Sequence, residues 1–344
     1  MIRRGKGVAC MFYPIGFTEY PNPSAAFMKV EVDGSAVLLT GATDIGQGST
    51  TALCQIASES TGIPVDRIKM ITADSQRTPY DTGSVASRVT FVAGNAVKRA
   101  ADGCRTVLFK AAAAMMGLIV GDPISIMKVE NGRICLKGYE AKSVSIAEAA
   151  FFSCLRMGVP VTGMGIFNPV TTTLDKNGQG KPYGAHVFAT QIAIVDVDDE
   201  TGGYEIKKIY AVHDCGKVLN QTLIKGQIDG GVGMGVGFGC MEGLIYKDGK
   251  VVNNQFTNYI VPSAMDVPDI VSDTIERYDP NGVYGAKGIA EPSLLPTAAA
   301  IVNAIHDAVG VLITDLPATP EKVFMAMQAK KALGALQEQE LETV

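Results

Sequence analysis

The chain has 344 residues, of which 47% are hydrophobic and 19% charged, with a mean hydropathy of +0.18 and a net charge of −5. The acidic balance and the lack of basic blocks argue against nucleic-acid binding, and no apolar run is long enough to span a membrane. Seven cysteines without a CxxC pair form no recognisable zinc, iron–sulfur or disulfide pattern. With no signal peptide after Met1, we expect a protein of the reducing cytoplasm, and its apolar composition predicts burial against partner subunits.

The first half of the chain alternates hairpins with helices, after a start (residues 1–22) that has no clear periodicity. Two-residue Asx-Gly turns mark the hairpins, and the helices have recognisable ends. The predicted elements are a hairpin over 28–40 turning at Asp33-Gly34, a helix over 49–61 capped by Ser49 or Thr50, a strand over 67–73, a helix over 89–116, a hairpin turning at Asn131-Gly132, and a helix over 145–154 opened by a Ser145–Glu148 capping box.

A stretch rich in Gly, Pro, Thr and Asn, residues 159–182, is the best candidate for a boundary, so we divide the chain into subdomains 1–165 and 166–344. The elements predicted after it are strands over 186–197 and 204–213, a polar turn over 214–220, a glycine-rich helix over 221–241, a hairpin turning at Asp248-Gly249, an apolar helix over 293–309, and a last helix opened by Thr319 and Pro320. Hairpins mixed with helices, without regular strand–helix alternation, predict an α+β fold with mixed or antiparallel sheets and packed helices.

The segment Gly41–Gly48 resembles a phosphate-binding loop only superficially. Gln47 stands where a P-loop requires lysine, so hydrolysis of a nucleoside triphosphate is not expected. Glycines expose backbone N–H groups and a helix start attracts anions, so a phosphate or a pterin fits. A plain strand-to-helix turn would explain the glycines but not a glutamine between two of them.

A second loop, residues 82–88, also precedes a helix and offers serine hydroxyls and Arg88. By itself it is equally well explained as a helix cap with a surface arginine. A third glycine-rich stretch, residues 226–239, lacks the preceding parallel strand and the acidic residue that a dinucleotide-binding fold needs. Close helix packing explains it better. The histidines (His186, His213 and His306) lie far apart and are interpreted as ordinary core or surface residues with satisfied hydrogen bonds.

Residues 285–292, Gly-Ala-Lys-Gly-Ile-Ala-Glu-Pro, bring one carboxylate, Glu291, to the start of an apolar helix. Burial raises the pKa of a carboxyl group in general, whereas a helix start and the nearby Lys287 would lower it, which is one way to build a tunable base. These residues alone leave two interpretations open, a helix cap and a catalytic base.

Taken in order, these segments resemble the C-terminal half of the molybdenum-binding subunit of the xanthine oxidase (molybdenum hydroxylase) family. The matching motifs are the Gly41–Thr50 loop, Ala86-Ser87-Arg88, residues 214–220, Gly226-Gln227 with Gly230-Gly231, and Lys287-Gly288 with Glu291-Pro292. The resemblance covers most of the chain, and five motifs in order are far more specific than any one.

The resemblance implies that Glu291 is the active-site base, which deprotonates the hydroxyl group that attacks an electron-poor carbon. It also implies that molybdenum is held by a pterin dithiolene and not by protein ligands. The pterin and its cytosine dinucleotide (molybdopterin cytosine dinucleotide) would be held by residues of three loops, namely Gly46, Gln47, Gly48, Ser84, Val85, Ala86, Ser87, Arg88, Lys287, Gly288, Ile289 and Ala290.

The chain departs from the family in two ways. Met234 stands where many relatives carry a glutamine that approaches the metal ligands. The N-terminal half of the molybdenum subunit and the iron–sulfur and flavin domains are missing, which is expected of a subunit split in two. The implied partners are therefore a large molybdopterin subunit, a [2Fe-2S] subunit and an FAD subunit.

The implied activity is water-dependent hydroxylation of a small N-heteroaromatic, with nicotinate favoured. A purine or an aldehyde is an alternative within the same chemistry. A non-catalytic scaffold that only clamps the pterin is the alternative of another class, and the presence of both Glu291 and Gln47 speaks against it.

Overall fold

The computed structural model describes residues 1–18, 20–118 and 121–342. Its helices are α1 (Ser49–Thr61), α2 (Gly94–Met115), α3 (Pro123–Ile126), α4 (Ile146–Leu155), α5 (Gln221–Val236), α6 (Thr297–Val309) and α7 (Pro320–Glu342). Its strands are β1 (Ile2–Pro14), β2 (Ser24–Val30), β3 (Ala36–Thr40), β4 (Ile68–Thr72), β5 (Met127–Glu130), β6 (Arg133–Leu136), β7 (Tyr139–Ser145), β8 (Val161–Phe167), β9 (His186–Asp198), β10 (Tyr204–Asp214), β11 (Tyr246–Lys247), β12 (Lys250–Val251) and β13 (Asp269–Thr274).

One sheet has the strand order β4-β3-β2-β8, and α1 and α2 cover one of its faces. The predicted hairpin is confirmed as β2 and β3, whose buried face carries Met28 and Leu38 at 0% exposure. Glycines bring α2 very close to β8, since a Cβ added at Gly163 would lie 2.0 Å from the carbonyl oxygen of Ala100. This sheet positions the loop after β3 and the loop before α2.

A second sheet has the strand order β1-β9-β10-β13, with α6 on one face. Strand β1 was not predicted, and it pairs with β9 along its whole length. Its buried positions include Gly5 and Gly7, so an apolar alternation is missing. At Gly7 an added Cβ would lie 2.1 Å from the carbonyl oxygen of Ala300 in α6, which explains why glycine stands there. β13 was also missed and pairs in parallel with β10.

Helix starts show where sequence signals hold and where they fail. The capping box at Ser145 and Glu148 is confirmed, and so is Thr319, which accepts the N–H of Lys322 at 3.3 Å. The predicted capping of α1 by Ser49 or Thr50 is wrong, because both residues are already helical and Gly48 is the cap. The apolar helix predicted from residue 293 begins only at Thr297.

The α+β fold class is confirmed, with mostly antiparallel sheets and helices packed on them. Among the helices that the structure describes, none combines the length and the apolar character needed to cross a bilayer. The division at residue 165 stays a prediction. It lies close to the end of β8, and residues 168–185 carry neither helix nor strand before β9 begins.

Candidate active site

A cavity of about 430 Å³ lies where three loops meet: the loop between β3 and α1, the loop before α2, and the loop before α6. The turn after β10 and the start of α5 complete its wall. The predicted site residues that line it are Gly46, Gln47, Gly48, Ser84, Val85, Ser87, Arg88, Lys287, Gly288, Ile289, Ala290 and Glu291. Ala86 lies outside the lining, and its carbonyl accepts the N–H of Gly16 at 3.2 Å. Segments about 200 residues apart in sequence therefore converge on the same cavity.

Glu291 opens a short 3₁₀ turn, Glu291–Ser293, and is partly buried. The Ser87 hydroxyl donates to Glu291 Oε2, and Ser87 Oγ also accepts the backbone N–H of Glu291 at 3.1 Å. The turn rests on a buried glutamine, Gln191. Its amide donates to the carbonyl of Ser293 at 2.7 Å and accepts the hydroxyl of Thr297 at 2.7 Å. Glu291 is thus hydrogen-bonded to Ser87, and Gln191 holds the end of its turn.

Lys287 does not assist Glu291 in the way the sequence predicts. Its ammonium lies 2.8 Å from Oδ2 of Asp214, at the end of β10, and both side chains are at most 10% exposed. The N–H of Lys287 donates to the carbonyl of Cys215 at 2.9 Å, and Gly216 bridges to Ala286. The charge of Lys287 is therefore neutralised within the wall of the cavity, where it fixes the loop before α6 to β10.

The loop between β3 and α1 is organised by Asp44, which sequence reasoning missed. Its carboxylate accepts the N–H groups of Gly46 at 2.9 Å and Thr50 at 2.9 Å, and the second bond satisfies an N–H group in the first turn of α1. Burial alone would raise the pKa of this carboxyl, but these N–H groups lower it. Gln47 folds back on its own loop, accepting the N–H of Ile45 at 2.6 Å. Because Asp44 occupies these N–H groups, they are not offered to a phosphate, and the loop suits a neutral ring system better.

The loop before α2 is strained and tightly braced. Ala86 and Ser87 have φ of 49° and 51°, a left-handed conformation that costs free energy in residues other than glycine. Gly288 passes so close that an added Cβ would lie 2.0 Å from the carbonyl oxygen of Ser87. Only glycine lets the two loops meet at this distance.

Arg88 is fully buried, so the alternative of a surface arginine is wrong. Its guanidinium contacts Asp81 at 2.8 Å and Ser24 at 2.6 Å, together with carbonyl oxygens of Pro23 and Gly83. Burial lowers the pKa of Arg88. The side chain ties β2 to the cavity loop, while the residue itself lines the cavity.

Backbone N–H groups supply further contacts for a ligand. No backbone carbonyl within the described ranges accepts the N–H groups of Gly288, Ile289 and Ala290, and all three residues line the cavity. Consecutive unpaired N–H groups beside glycines form the kind of cradle that holds the oxygen and nitrogen atoms of a flat heterocycle. By volume and donor set, these loops fit a pterin.

Tyr13, at the end of β1, is a further residue that sequence reasoning missed. Its phenol lies beside Ser87 and Glu291, and burial together with the charge of Glu291 raises the pKa of Tyr13 to about 12. Nothing in the local sequence marks it, because its strand was not recognised.

His213 and Met234 both lie outside the cavity lining. His213 was interpreted as having satisfied hydrogen bonds, but it is fully buried and neither ring nitrogen has a partner in the described part of the chain. Met234 is 64% exposed on α5 and is not among the residues that line the cavity.

Comparison with known proteins adds independent information. The molybdopterin cofactor-binding domain family matches residues 1–268. The chain is 32% identical over 338 residues to the putative xanthine dehydrogenase molybdenum-binding subunit of Escherichia coli K12, covering 94% of this chain and 42% of that protein. It is 33% identical over 306 residues to the nicotine 6-hydroxylase large subunit of Paenarthrobacter nicotinovorans, covering 88% and 36%. The chain therefore spans about two fifths of the length of these relatives.

Solved structures give the same result for the fold. Quinoline 2-oxidoreductase from Pseudomonas putida 86 matches with a TM-score of 0.85 and 25% identity, covering 95% of this chain and 42% of that one. A Cu,Mo-containing CO dehydrogenase matches with a TM-score of 0.83 at 23% identity, a likeness of fold alone.

Proposed function

The chain belongs to the molybdopterin-binding subunits of the xanthine oxidase family of molybdenum hydroxylases, and on this premise we propose that it supplies the catalytic base, Glu291, for hydroxylation of an N-heteroaromatic substrate by water. The observation that carries the proposal is the convergence of the three loops and Glu291 on the same cavity. We favour nicotinate as the substrate, because the chain resembles the medium molybdopterin subunit of a nicotinate dehydrogenase.

The cofactor in this proposal is molybdenum with molybdopterin cytosine dinucleotide. When bound, it supplies the two-electron redox chemistry of the hydroxylation. Three groups of residues would hold the pterin: Gly46 to Gly48; Ser84, Val85, Ser87 and Arg88; and Lys287 to Ala290. The unpaired N–H groups of the third group are its main hydrogen-bond donors.

Glu291 is placed to move a proton. A carboxylate that is partly buried and held by a hydroxyl and by its own turn loses little freedom on binding substrate, which favours general-base catalysis. The Lys287–Asp214 pair holds the loop without placing a free cation against the base.

Several partners belong to this proposal. A large molybdopterin subunit would complete the cavity, and [2Fe-2S] and FAD subunits would carry the electrons away. Two observations support this: the chain spans about two fifths of its relatives, and one of them is named as a large subunit. We place the complex in the cytoplasm, since all seven cysteines are free.

The test is the Glu291→Gln variant in the assembled, cofactor-loaded complex, assayed with nicotinate, xanthine and an aldehyde. We expect turnover to fall by at least about 100-fold, because the amide cannot take up the proton. Molybdenum and cytidine monophosphate contents should stay unchanged. Glu200→Gln, at a side chain 82% exposed, is the matched control and should keep full turnover.

Substantial turnover of Glu291→Gln would refute the catalytic role and leave the scaffold alternative. Faster turnover of xanthine or the aldehyde than of nicotinate by the unchanged complex would move the assignment to that substrate class. The purine alternative is favoured by the relative named as a xanthine dehydrogenase subunit.

A further inference from the structure

Ser87 contacts both the backbone and the side chain of Glu291 through one oxygen atom. It donates its proton to Oε2 and accepts the N–H of Glu291 at 3.1 Å. We propose that Ser87, supported by Tyr13, is the positioning residue of Glu291: it fixes one carboxylate oxygen so that the other, Oε1, takes up the proton in catalysis. This inference rests on the proposed function and assigns Ser87 a role distinct from holding the cofactor.

The position of the Ser87 hydroxyl is set by its backbone. Ala86 and Ser87 both lie in the left-handed region, which persists only where the surroundings enforce it. Here the N–H of Gly16 holds the carbonyl of Ala86 from one side, and Gly288 presses on the carbonyl of Ser87 from the other. This strained backbone directs the Ser87 hydroxyl toward Glu291.

Tyr13 closes the same cluster from β1. Its phenol lies beside both Ser87 and Glu291, on the face of β1 that packs toward the core. With a pKa raised to about 12 by burial and by the charge of Glu291, the phenol stays protonated at working pH and remains a hydrogen-bond donor. A second hydroxyl group therefore lies beside the carboxylate of Glu291.

The two carboxylate oxygens of Glu291 thereby have different roles. A carboxylate has four lone-pair positions, and the hydrogen bond from Ser87 uses one on Oε2. The proton removed from the attacking hydroxyl group then goes to Oε1 and leaves to solvent after the reaction, while Ser87 keeps its own proton throughout. Ser87 changes the orientation of the base and takes no part in bond making.

The test compares Ser87→Ala with Ser87→Gly in the cofactor-loaded complex. Both remove the hydroxyl, but glycine also relieves the left-handed strain. We expect both to lower kcat by about 10- to 100-fold, the effect of a misplaced catalytic group. KM should stay within about twofold, and the molybdenum and cytidine monophosphate contents should stay unchanged, because the Ser87 hydroxyl bonds Glu291 and the backbone of the loop is kept. Ser153→Ala removes a buried hydroxyl bound to the carbonyl of Val159, remote from the cavity, and should keep normal kcat.

A crystal structure of the Ser87→Ala complex gives a readout independent of activity. We expect the Glu291 carboxylate to occupy a second rotamer, and an unmoved carboxylate would overturn the proposal. Three kinetic results would also overturn it: normal kcat in both variants, recovery of kcat in Ser87→Gly alone, or a loss of kcat in proportion to lost cofactor. The last two would assign the effect to backbone strain or to cofactor binding.

Two further variants separate this inference from the function on which it rests. If Glu291→Gln is inactive while Ser87→Ala is fully active, the positioning role fails and the proposed function stands. If Glu291→Gln is active, the proposed function itself fails. Tyr13→Phe should lower kcat by a smaller factor, about 3- to 10-fold, and its effect should not add to that of Ser87→Ala because the two hydroxyls serve one carboxylate. Fully additive losses would contradict the shared role.

Discussion

Arg88 shows how a single buried charge fixes the loop that shapes the cavity. It pairs with Asp81, and the two side chains are 0% and 1% exposed. We expect Arg88→Met to destabilise the fold by about 3–5 kcal/mol, because Asp81 keeps a buried charge without its partner. Urea unfolding measures the change. Arg3→Met breaks an exposed pair with Asp199 and is expected to cost less than about 1 kcal/mol. Equal losses in the two variants would contradict this account.

His213 makes stability depend on pH. Burial lowers its pKa from 6.5 to about 4, so between these values the unfolded chain binds a proton that the folded chain does not. The folded state therefore loses stability as pH falls below 6.5, and the loss is complete near pH 4. From pH 7 to pH 5 we expect this histidine to account for about 2 kcal/mol.

Unfolding at pH 7 and pH 5 tests the His213 prediction. His213→Leu should reduce the difference between the two values by that amount, and it leaves no unpaired ring nitrogens in the core. His306→Gln, on the exposed surface of α6, should leave the difference unchanged. An unaltered pH dependence in His213→Leu would show that other groups carry it.

Some single site residues could be predicted from the sequence and others could not, depending on whether their contacts are local. Gly46, Gly288 and Glu291 carry local signals, since glycine clusters mark close approaches and a lone carboxylate is conspicuous in apolar surroundings. Tyr13 and Gln191 act through contacts more than 70 residues away in sequence, and no local pattern encodes such contacts. The sequence predicted that Lys287 acts on Glu291, and its actual partner, Asp214, was missed for the same reason.

Helix α5 shows what the sequence could not predict about a whole helix. Its span was predicted, but the sequence does not say which of its glycines touch a neighbour. A Cβ added at Gly231 would lie 1.8 Å from the hydroxyl oxygen of Ser293, in the turn that Glu291 opens, whereas nothing lies within 4 Å of one at Gly230. These adjacent residues make a matched pair.

We expect Gly230→Ala to stabilise the chain by up to about 1 kcal/mol, through helix propensity and a less flexible unfolded state. Gly231→Ala should destabilise it by about 1–3 kcal/mol, through overpacking against Ser293. Thermal unfolding of the two variants measures the difference. Gly231→Ala should also lower kcat in the complex, because it displaces the turn of Glu291. The same sign of stability change in both variants would refute the packing argument.

Hairpins were predicted far better than lone strands. The Asp33-Gly34, Asn131-Gly132 and Asp248-Gly249 turns all lie between paired strands. The last two are two-residue turns, which fix the pairing of their strands, whereas the first is longer because Glu31 still bonds Ser35. β1 and β13 depend on partners far along the chain, and β1 has glycines at buried positions where apolar side chains would have indicated a strand.

For the whole molecule, the two sheets show how the predicted subdomains stay joined. We propose that the boundary near residue 165 is a proteolytically sensitive link, because residues 168–185 have no helix or strand. Limited trypsin digestion should cut there first, at Lys176 or Lys181. The fragments should nevertheless co-elute in size-exclusion chromatography, because β1 of the first fragment pairs with β9 of the second. First cleavage elsewhere, or separation of the fragments, would refute the division.

The sheet β1-β9-β10-β13 has one face against α6 and an opposite face that is apolar and exposed. Neighbouring side chains there include Phe12, Phe188, Val8, Tyr210 and Val271, each between 38% and 68% exposed. Such a patch on a chain that spans two fifths of its relatives is consistent with burial against the proposed large molybdopterin subunit.

Phe12→Ser combined with Phe188→Ser tests this face. We expect the double variant to bind the co-expressed large subunit at least about 10-fold more weakly, because aromatic side chains at the centre of an interface carry much of its binding energy. The unfolding free energy of the isolated chain should fall by about 1 kcal/mol at most, since Phe12 is 68% exposed and Phe188, whose ring centre also lies 5.9 Å from the Lys287 ammonium, is 51% exposed. Tyr139→Ser, at a side chain 60% exposed on another sheet, is the control. Unchanged affinity of the double variant would mean that the large subunit covers a different face, and the apolar sheet would then require another partner.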